Sequence, residues 1–441
     1  MSQLSVRPLF DSLEGGGAGM GRFCVINLGC KVNRLESDTI AASLIAAGYE
    51  RVGAEEADVI IVNTCTVTAE ADAKTRKAVR RAYRDGSCPV VVTGCAAAID
   101  PEGLTAIDPR VTVEPIHRKA LALALATLNA QDEGTGHLLP ETSDLSSCLV
   151  EIRAGEGFKT RMDIKIQDGC DNRCTYCIVN RARGKAASVP ARQVIESVAA
   201  ATAAGVNEVI LAGINLGGYS SDGLLLPGLI DAILTETSIG RVRVSSIEPP
   251  HVDEALADAL ARHPGRLCAH FHVPLQSGCD RTLREMGRLY TTGEFAERIG
   301  LLRAVRPDVA ITTDVIAGFP GETDDGFEES LAFCRELAFS RMHVFRYSRR
   351  PGTPAAERDD QVPAEVSACR AERLRTLAAE MAADDLRCRT GTVERVLVMT
   401  PDRGMTESYH EIALDSSLAL APGTLIDLPL SLDHTGTLIA G

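Results

Sequence analysis

Short apolar runs alternate with amphipathic segments along most of this chain, and this alternation limits the possible folds more than any other feature. The first runs are FCVINLG, ADVIIVNT and CPVVVTG, and the segments after the first two have the polar–apolar pattern of helices. Parallel strands need helical crossovers, which cover a sheet on both faces. We therefore predict an α/β domain with a three-layer parallel sheet over residues 22–118.

The alternation resumes after a polar segment at residues 119–160, which we interpret as a linker. The strand candidates that follow are RMDIKIQ, EVILAG, RVRVSSI, CAHFHV, VAITTDVIAG and RMHVFRY. The helix candidates between them are 191–204, 253–262, 280–287, 294–305 and 324–338. Six strand–helix units predict a partial (β/α)6 barrel over residues 161–378, with its chemistry in the loops after the strands.

The two ends of the chain have other patterns. Residues 1–21 contain a Gly-rich stretch, which predicts a flexible N-terminus. Residues 379–441 start with the end of a connector helix and continue with short β-like runs between turn signals. They predict a small β-barrel at the C-terminus.

The size and composition of the chain exclude several classes of protein. With 441 residues, of which 45% are hydrophobic, it has the length of two or three globular domains. No apolar run approaches ~18 residues and the N-terminus lacks the apolar core of an export signal, so we expect no membrane span. Fourteen cysteines without such a signal indicate a reducing, cytoplasmic location, where clustered thiols bind metal or carry out redox chemistry.

The charge distribution bears on nucleic-acid binding. The net charge of −14 argues against indiscriminate binding of polyanions, but residues 74–84 and 341–350 are locally basic. Either run alone is compatible with an ordinary solvated face. If other features indicate a nucleic acid, the candidate contacts to it are Arg80, Arg81, Arg84 and Arg346.

Three cysteines at residues 170–177 have the spacing C-x3-C-x2-C. Cys170, Cys174 and Cys177 follow the first strand of the predicted barrel. Thiolates are soft ligands that suit zinc or an iron–sulfur cluster, but a structural zinc site needs a fourth ligand and no histidine lies near. A cubane 4Fe-4S cluster held by three cysteines leaves one iron free to chelate a small molecule.

Three further cysteines occupy equivalent places in the N-terminal domain. Cys30, Cys65 and Cys95 lie just past the first, second and third strands. Because the carboxyl ends of parallel strands meet at one edge of a sheet, we expect the three thiols to lie together there. The alternative is three scattered buried thiols. We interpret most of the eight cysteines outside the two groups as ordinary packing residues.

The first cysteine group resembles that of a known superfamily. The pattern C-x3-C-x-aromatic-C, with Tyr176 as the aromatic residue, after the first strand of a (β/α) barrel is similar to that of the radical S-adenosylmethionine enzymes. The resemblance implies that the open iron chelates S-adenosylmethionine. It also implies that an electron from the cluster cleaves this cofactor to methionine and a 5′-deoxyadenosyl radical, which abstracts hydrogen from a C–H bond.

The second cysteine group narrows the resemblance. The segments NLGCKVNRLESD, NTCTVTAEAD and VTGC resemble the N-terminal domain of the methylthiotransferases within that superfamily. The resemblance implies that Cys30, Cys65 and Cys95 hold a second 4Fe-4S cluster, whose open iron presents the sulfur to be methylated and inserted. It further implies a sulfur donor and a flavodoxin- or ferredoxin-like electron donor as partners.

Three branches of this family differ in substrate. They modify isopentenyladenosine in tRNA, threonylcarbamoyladenosine in tRNA, or an aspartate of a ribosomal protein. The segments GCKVNRLES, IQDGCDNRCTYCIV and FRYSRRPGTPAA look most like the threonylcarbamoyladenosine branch, and DRGMTESYHEIALD resembles the start of a TRAM domain, a small β-barrel that grips tRNA. The predicted reaction is C2 methylthiolation beside the anticodon. An alternative of another class is a non-catalytic iron–sulfur protein that binds RNA and senses redox state.

Loops after the other barrel strands supply candidate cofactor contacts. They are Gly213 and Asn215 in AGINLGG, Gln276 and Ser277 in PLQSG, and Gly318 in AGFPGE. For each of these loops the alternative is an ordinary strand–helix turn. No catalytic residue is predicted beyond the six cluster ligands.

Two arginines close to the first cysteine group are also candidates. Arg181 and Arg183 follow the cluster loop, where they could meet substrate phosphate or the carboxylate of the cofactor. A lone arginine at such a position is more often a surface residue.

Overall fold

The structure is a computed structural model that describes residues 21–46, 48–85, 88–114 and 160–440. The predicted linker lies outside these residues except for its last position, and the predicted flexible N-terminus lies outside them except for Gly21. The chain forms two compact units. The described part of the first unit is 21–114 with 177–185, and that of the second is 160–176 with 186–440.

The first unit contains a five-stranded parallel sheet with strand order β2-β1-β3-β4-β5. Its strands are β1 (Arg22–Asn27), β2 (Glu50–Arg51), β3 (Val59–Thr64), β4 (Val90–Gly94) and β5 (Val111–Glu114). Its helices are α1 (Lys31–Ala46), α2 (Ala69–Asp85), α3 (Cys95–Ile99), α4 (Pro101–Thr105) and α5 (Val179–Arg183). The three predicted strands are confirmed, and β2 and β5 are short edge strands that the sequence analysis missed.

Alternate residues of the central strands fill two separate cores. Val59, Ile61 and Val91 pack with apolar residues of α1 on one face. Ile60 and Val62 pack on the other face, among apolar residues of α2 and of the chain near α4. Because helices cover both faces, every residue of β3 and β4 is buried, and the predicted three-layer arrangement is confirmed.

The second unit contains six parallel strands of a partial barrel. They are β6 (Arg161–Lys165), β9 (Glu208–Ala212), β12 (Arg241–Val244), β13 (His270–His272), β14 (Ala310–Ala317) and β15 (Arg341–Arg346). Two sets, β12-β9-β6 and β13-β14-β15, are joined by single bridges from Val242 to Leu267 and from Ser246 to His272. The predicted (β/α)6 architecture is confirmed.

Helices cover the outside of these strands. They are α6 (Ala191–Ala203), α7 (Leu226–Glu236), α8 (Glu254–Arg262), α9 (Asp280–Glu285), α10 (Thr292–Val305) and α11 (Asp324–Leu337). Five of the six match predicted helices. The sequence analysis missed α7, because Pro227 and Gly228 look like turn residues, although proline is well tolerated in the first turn of a helix.

Short antiparallel pairs lie in the loops, namely β7 (Gln167–Asp168) with β8 (Ala187–Ser188) and β10 (Ser220–Ser221) with β11 (Leu224–Leu225). A long helix, α12 (Ala364–Arg389), runs across the boundary that we placed at residue 378. It leads to a closed five-stranded barrel of β16 (Val393–Thr400), β17 (Arg403–Thr406), β18 (Glu411–Leu414), β19 (Leu425–Leu432) and β20 (Leu438–Ala440). The predicted C-terminal β-barrel is thus confirmed.

Buried charges join this barrel to the first residues of β9 and β12. Arg241 and Arg243 both pair with Glu208 and donate to backbone carbonyls of the C-terminal barrel, for example Arg241 to Met405 at 2.9 Å. Burial raises the pKa of Glu208, but the two guanidiniums outweigh burial and lower the pKa to about 2. The C-terminal barrel is therefore fixed at the amino ends of these strands, opposite to the loops that follow them.

Within the described residues, no helix is both long and apolar enough to cross a bilayer.

Candidate functional site

The carboxyl edge of the first unit's sheet carries the three predicted cysteines. Cys65 directly follows β3, and Cys95 follows β4 as the first residue of α3. Cys30 lies between β1 and α1. Cys65 and Cys95 are buried and Cys30 is exposed, so the group reaches the surface at one end.

One buried asparagine holds this edge together. The side chain of Asn33, in the first turn of α1, donates to the carbonyls of Leu28 at 2.9 Å and Thr64 at 2.7 Å, which lie next to the ends of β1 and β3. Its Oδ1 atom lies 3.9 Å from the sulfur of Cys30 and 4.0 Å from that of Cys95. Sequence reasoning missed Asn33, although an amide three residues after a candidate ligand was a usable signal.

A second polar layer lies beneath Asn33. Asn63 donates to the backbone carbonyl of Asn33 at 2.8 Å and to the hydroxyl of Ser37 at 3.0 Å. Thr64 donates to the carbonyl of Thr93 at 2.5 Å. These bonds fix the end of β3 against α1 and against the end of β4, and so hold the backbone that leads to Cys65 and Cys95.

A buried arginine brings positive charge to this cysteine edge. The guanidinium of Arg183 is buried within the first unit, where it pairs with Glu36 at 2.9 Å and donates to Asn33 Oδ1 at 2.6 Å. In this structure Arg183 is therefore a partner of the cysteine edge. Its assignment to substrate phosphate or the cofactor carboxylate stays a prediction. Burial raises the pKa of Cys95 to about 12, while the charge of Arg183 opposes this effect.

Two glycines allow the cysteines to approach one another. Gly29 has φ +106°, and a Cβ atom there would lie 2.5 Å from Cβ and 2.8 Å from Sγ of Cys65. Gly94 has φ +94° and ψ −166°, and a Cβ atom there would lie 2.5 Å from the carbonyl oxygen of Thr64. Both conformations favour glycine, and neither position has room for a side chain.

We expect Gly29→Ala and Gly94→Ala each to destabilise the first unit by roughly 2–4 kcal/mol, the sum of backbone strain and overpacking. Gly48→Ala is the matched control, because Gly48 also has positive φ (+87°) but nothing within 4 Å of the added Cβ, so only the strain applies. Urea unfolding followed by circular dichroism measures the difference. Equal losses in all three variants would contradict the close packing at the cysteine edge.

In the second unit, Cys170 and Cys174 lie in the loop after β6 and β7. The sulfur of Cys174 accepts a hydrogen bond from Nη1 of Arg288 at 3.2 Å. Arg288 is buried, forms an ion pair with Glu248 and bonds the hydroxyl of Tyr290 at 3.1 Å. Sequence reasoning missed Arg288, which is 114 residues away along the chain.

The same loop is held in place by backbone contacts. Thr175 donates to the carbonyl of Met286 at 2.9 Å, and its own carbonyl accepts from the amide of Ala355 at 3.0 Å. The ring of Tyr176 meets that of Phe319 edge to face, with 6.3 Å between centroids. The aromatic residue of the cysteine pattern thus anchors the loop to the chain after β14.

Cys177 belongs by its contacts to the first unit, where its sulfur accepts from the amide of Val179 at 3.4 Å. With respect to metal binding, the described residues contain no three Cys, His, Asp or Glu side chains close enough together to hold a single metal ion. A cubane cluster binds each thiolate through a different iron, so its ligands lie further apart than those of a single ion.

The thiols of Cys30, Cys65 and Cys95, on one sheet edge of the first unit, fit such a cluster in number and in chemistry.

The predicted loop after β9 is braced by Gln167. The Oε1 atom of Gln167 accepts from the amides of Ile214 at 3.0 Å and Asn215 at 2.9 Å. A Cβ atom on Gly213 would lie 2.8 Å from Leu216, so this position accepts only glycine without rearrangement. The Oδ1 atom of Asn215 is buried and has no hydrogen-bond donor within the described chain, which suits a ligand that donates there.

Gln276 has the strained backbone that is common at functional sites. Its φ is +68°, although it is not glycine, and backbone bonds to Asp314 and Ile316 hold it in place. The hydroxyl of Ser277, in contrast, is buried and bonds that of Ser330 at 2.9 Å. The assignments of Gln276 and Ser277 to the cofactor stay predictions.

Gly318 also has a protein neighbour. Its φ is +77°, and a Cβ atom there would lie 2.4 Å from the hydroxyl of Ser367 on α12. Its amide donates to Glu322 at 2.8 Å. The need for glycine here is therefore explained by packing of α12, and its assignment to the cofactor stays a prediction.

The predicted RNA contacts are exposed where they can be described. Arg80 and Arg81 lie exposed on α2, whereas the side chain of Arg84 is outside the described residues. Arg346 is exposed at the end of β15 and donates to the carbonyl of Ala364 at 3.1 Å. In the same basic run Arg350 is buried, so the run is not uniformly solvated.

Comparison with family models gives two matches. Residues 164–334 match the Radical SAM superfamily, and residues 22–113 match a group described as "Uncharacterized protein family UPF0004". The first match extends from within β6 to within α11, so it includes β9, β12, β13 and β14 but not β15. The second spans the five-stranded sheet as far as the third residue of β5.

Curated relatives resemble almost the whole chain. A threonylcarbamoyladenosine tRNA methylthiotransferase (MtaB) of Bacillus subtilis strain 168 is 36% identical over 87% of this chain and 85% of its own length. Its namesake in Thermotoga maritima is 36% identical over 76% of each chain. A tRNA-2-methylthio-N6-dimethylallyladenosine synthase of Geobacillus kaustophilus is 34% identical over 87% of this chain and 74% of its own length.

Solved structures share the fold at low identity. The radical S-adenosylmethionine methyltransferase TsrM of Kitasatospora setae gives a TM-score of 0.56 at 16% identity, over 77% of this chain and 75% of that one. The cobalamin-dependent radical enzyme OxsB gives 0.50 at 12% identity, over 84% of this chain and 57% of that one. At these identities the likeness supports the architecture alone.

Proposed function

We propose that this chain, which belongs to the methylthiotransferase family of radical S-adenosylmethionine enzymes, adds a methylthio group to C2 of N6-threonylcarbamoyladenosine beside the anticodon of tRNA. The observation that carries the proposal is the presence of two separate groups of three cysteines, one on the sheet edge of the first unit and one in the C-x3-C-x2-C segment. Relatives named for this substrate are 33–36% identical to the chain over 76–87% of its length.

We assign one 4Fe-4S cluster to each group of cysteines. Cys170, Cys174 and Cys177 hold the cluster that binds S-adenosylmethionine, and Cys30, Cys65 and Cys95 hold the second. When bound, the first cluster would supply the electron that cleaves the cofactor, and the open iron of the second would present the sulfur. Three soft thiolates with no nearby histidine in the first group fit an iron–sulfur cluster better than they fit structural zinc.

We propose that residues around the cysteines orient the two clusters and the cofactor. Gln167 fixes the loop that carries Asn215, whose unbonded Oδ1 can accept a hydrogen bond from the cofactor. Arg288 donates to the sulfur of Cys174 and brings positive charge to a thiolate ligand. Asn33 keeps the loop of Cys30 next to those of Cys65 and Cys95.

The partners follow from the same assignment. We propose that tRNA contacts the exposed arginines Arg80, Arg81 and Arg346 together with the C-terminal β-barrel, mainly through phosphate groups. An electron donor of the flavodoxin or ferredoxin type and a separate sulfur donor complete the reaction. A cytoplasmic location agrees with a substrate that is tRNA and with fourteen cysteines.

A second candidate substrate is N6-dimethylallyladenosine in tRNA, because synthases of its methylthio derivative are 34–35% identical to the chain. An aspartate of a ribosomal protein is a third possibility. A non-catalytic redox sensor that binds RNA would need no open iron, so S-adenosylmethionine would leave its visible and electron paramagnetic resonance spectra unchanged.

Mass spectrometry of tRNA nucleosides distinguishes these functions. Deleting the gene should remove 2-methylthio-N6-threonylcarbamoyladenosine and leave N6-threonylcarbamoyladenosine in its place. The wild-type gene should restore the product, and a gene with Cys30→Ala should not. Loss of the methylthio derivative of dimethylallyladenosine would favour the second candidate, and unchanged tRNA would rule out both.

A further inference from the structure

A buried ion pair lies beside the cysteine edge of the first unit. The side chain of Arg183 is 1% exposed and that of Glu36 is 12% exposed. Arg183 contacts both oxygens of the Glu36 carboxylate, at 2.9 and 3.2 Å. The pair is thus bidentate, the strongest arrangement available to these two groups.

Asn33 connects the pair to the thiols. Nη2 of Arg183 donates to Asn33 Oδ1 at 2.6 Å, and this oxygen lies 3.9 Å from the sulfur of Cys30 and 4.0 Å from that of Cys95. One oxygen atom thus links the guanidinium to both sulfurs. The helix that carries it, α5, packs against α3, which begins at Cys95.

Stability is a weak explanation for such a pair. Removing two charges from water costs about as much as their attraction returns, and apolar residues of similar volume are often at least as stable. The pair of Arg183 and Glu36 has a fixed polar neighbour, Asn33, and lies next to the cysteine edge. The pair is better explained by an effect on the group that these cysteines bind.

We propose that Arg183 and Glu36 are positioning residues that set the reduction potential of the iron–sulfur cluster held by Cys30, Cys65 and Cys95. This inference rests on the proposed function. Charge and hydrogen bonding around the sulfurs are main determinants of cluster potentials. A cluster with three thiolate ligands becomes more negative on reduction, so the guanidinium stabilises the reduced state and the carboxylate stabilises the oxidised state.

The two charges therefore have opposite effects. Replacing Arg183 by methionine removes one positive charge beside the cysteines and should lower the potential. Replacing Glu36 by glutamine removes one negative charge there and should raise it. A purely structural role would loosen the same contacts in both variants, and both potentials would then move in the same direction or not at all.

The experiment uses full-length protein with Cys170, Cys174 and Cys177 replaced by alanine, so that one cluster remains. Reconstituted protein is titrated electrochemically, and the reduced cluster is measured by electron paramagnetic resonance. At a fixed applied potential, we expect the ratio of reduced to oxidised cluster to fall about tenfold in Arg183→Met and to rise about tenfold in Glu36→Gln. For a one-electron couple, each change corresponds to about 59 mV.

Further variants support the comparison. Arg183→Lys keeps the charge and should stay closer to the parent than Arg183→Met. If the methionine protein does not fold, Arg183→Gln, which also removes the charge, replaces it. Lys185→Ala is the matched control, because it removes an exposed positive charge two residues away. Its potential should equal that of the parent.

The outcomes separate the two proposals. If the parent binds no iron, Cys30, Cys65 and Cys95 are not cluster ligands, and the proposed function fails together with this inference. If the parent holds a cluster but the Arg183 and Glu36 variants shift in the same direction, or do not shift, the inference is wrong and the cluster assignment stands.

Discussion

Replacing Cys30, Cys65 and Cys95 together by alanine is expected to abolish the methylthio product while reductive cleavage of S-adenosylmethionine continues. The three residues follow β1, β3 and β4 of the first unit. The loop of Cys174 is held by bonds of Arg288 and Met286, both in the second unit. Because Cys170 and Cys174 are held by contacts within the second unit, loss of Cys30, Cys65 and Cys95 should leave cofactor cleavage within about twofold of wild type.

Liquid chromatography of 5′-deoxyadenosine and mass spectrometry of tRNA nucleosides measure the two activities in one reaction with dithionite. Cys24→Ala is the matched control, because Cys24 lies in β1 of the same sheet but outside the predicted ligand group. It should retain both activities. Methylthio product from the triple variant would show that this group does not supply the sulfur.

The architecture could be predicted from the sequence, because strands buried on both faces of a sheet need nearly continuous apolar runs, and such runs can be recognised. β3 reads VIIVNT and is buried at every position, and helices cover the sheet on both sides. Once strands are located, the edge at which Cys65 and Cys95 lie follows from the parallel topology. The short edge strands β2 and β5 have no such apolar run, because strands of two to four residues bury too little surface to need one.

The partners of the cysteines could not be predicted in the same way. Arg183 is 150 residues from Asn33, and Arg288 is 114 residues from Cys174. Such contacts depend on how helices and loops pack, which periodicity does not determine. The strained backbone of Gln276 is equally invisible in the sequence, because the bonds to Asp314 and Ile316 that impose it come from the neighbouring strand.

Some predicted contacts acquired a different explanation. Gly318 is a predicted cofactor contact, yet the atom closest to a side chain added there belongs to Ser367 of α12. The sequence shows that a side chain is excluded at such a position. It does not show whether the excluding atoms belong to a cofactor or to another helix.

Replacing Cys170, Cys174 and Cys177 together by alanine is expected to abolish cleavage of S-adenosylmethionine, the step that the other triple variant retains. Cleavage should fall below detection, because no other three-cysteine group follows a barrel strand in the sequence. Bound iron should fall from about eight atoms per chain to about four, as one of two cubane clusters is lost. Iron and sulfide analysis after anaerobic reconstitution measures this change.

Cys369→Ala controls for the loss of a thiol, because Cys369 lies exposed on α12 of the second unit. It should keep about eight iron atoms and full cofactor cleavage. The expected half-loss depends on Cys30, Cys65 and Cys95 being positioned by Asn33 and the ends of β1 and β3, independently of the replaced cysteines. If the triple variant lost all its iron while its circular dichroism stayed native, the two sites would not be independent. The separate roles assigned to them would then have to be abandoned.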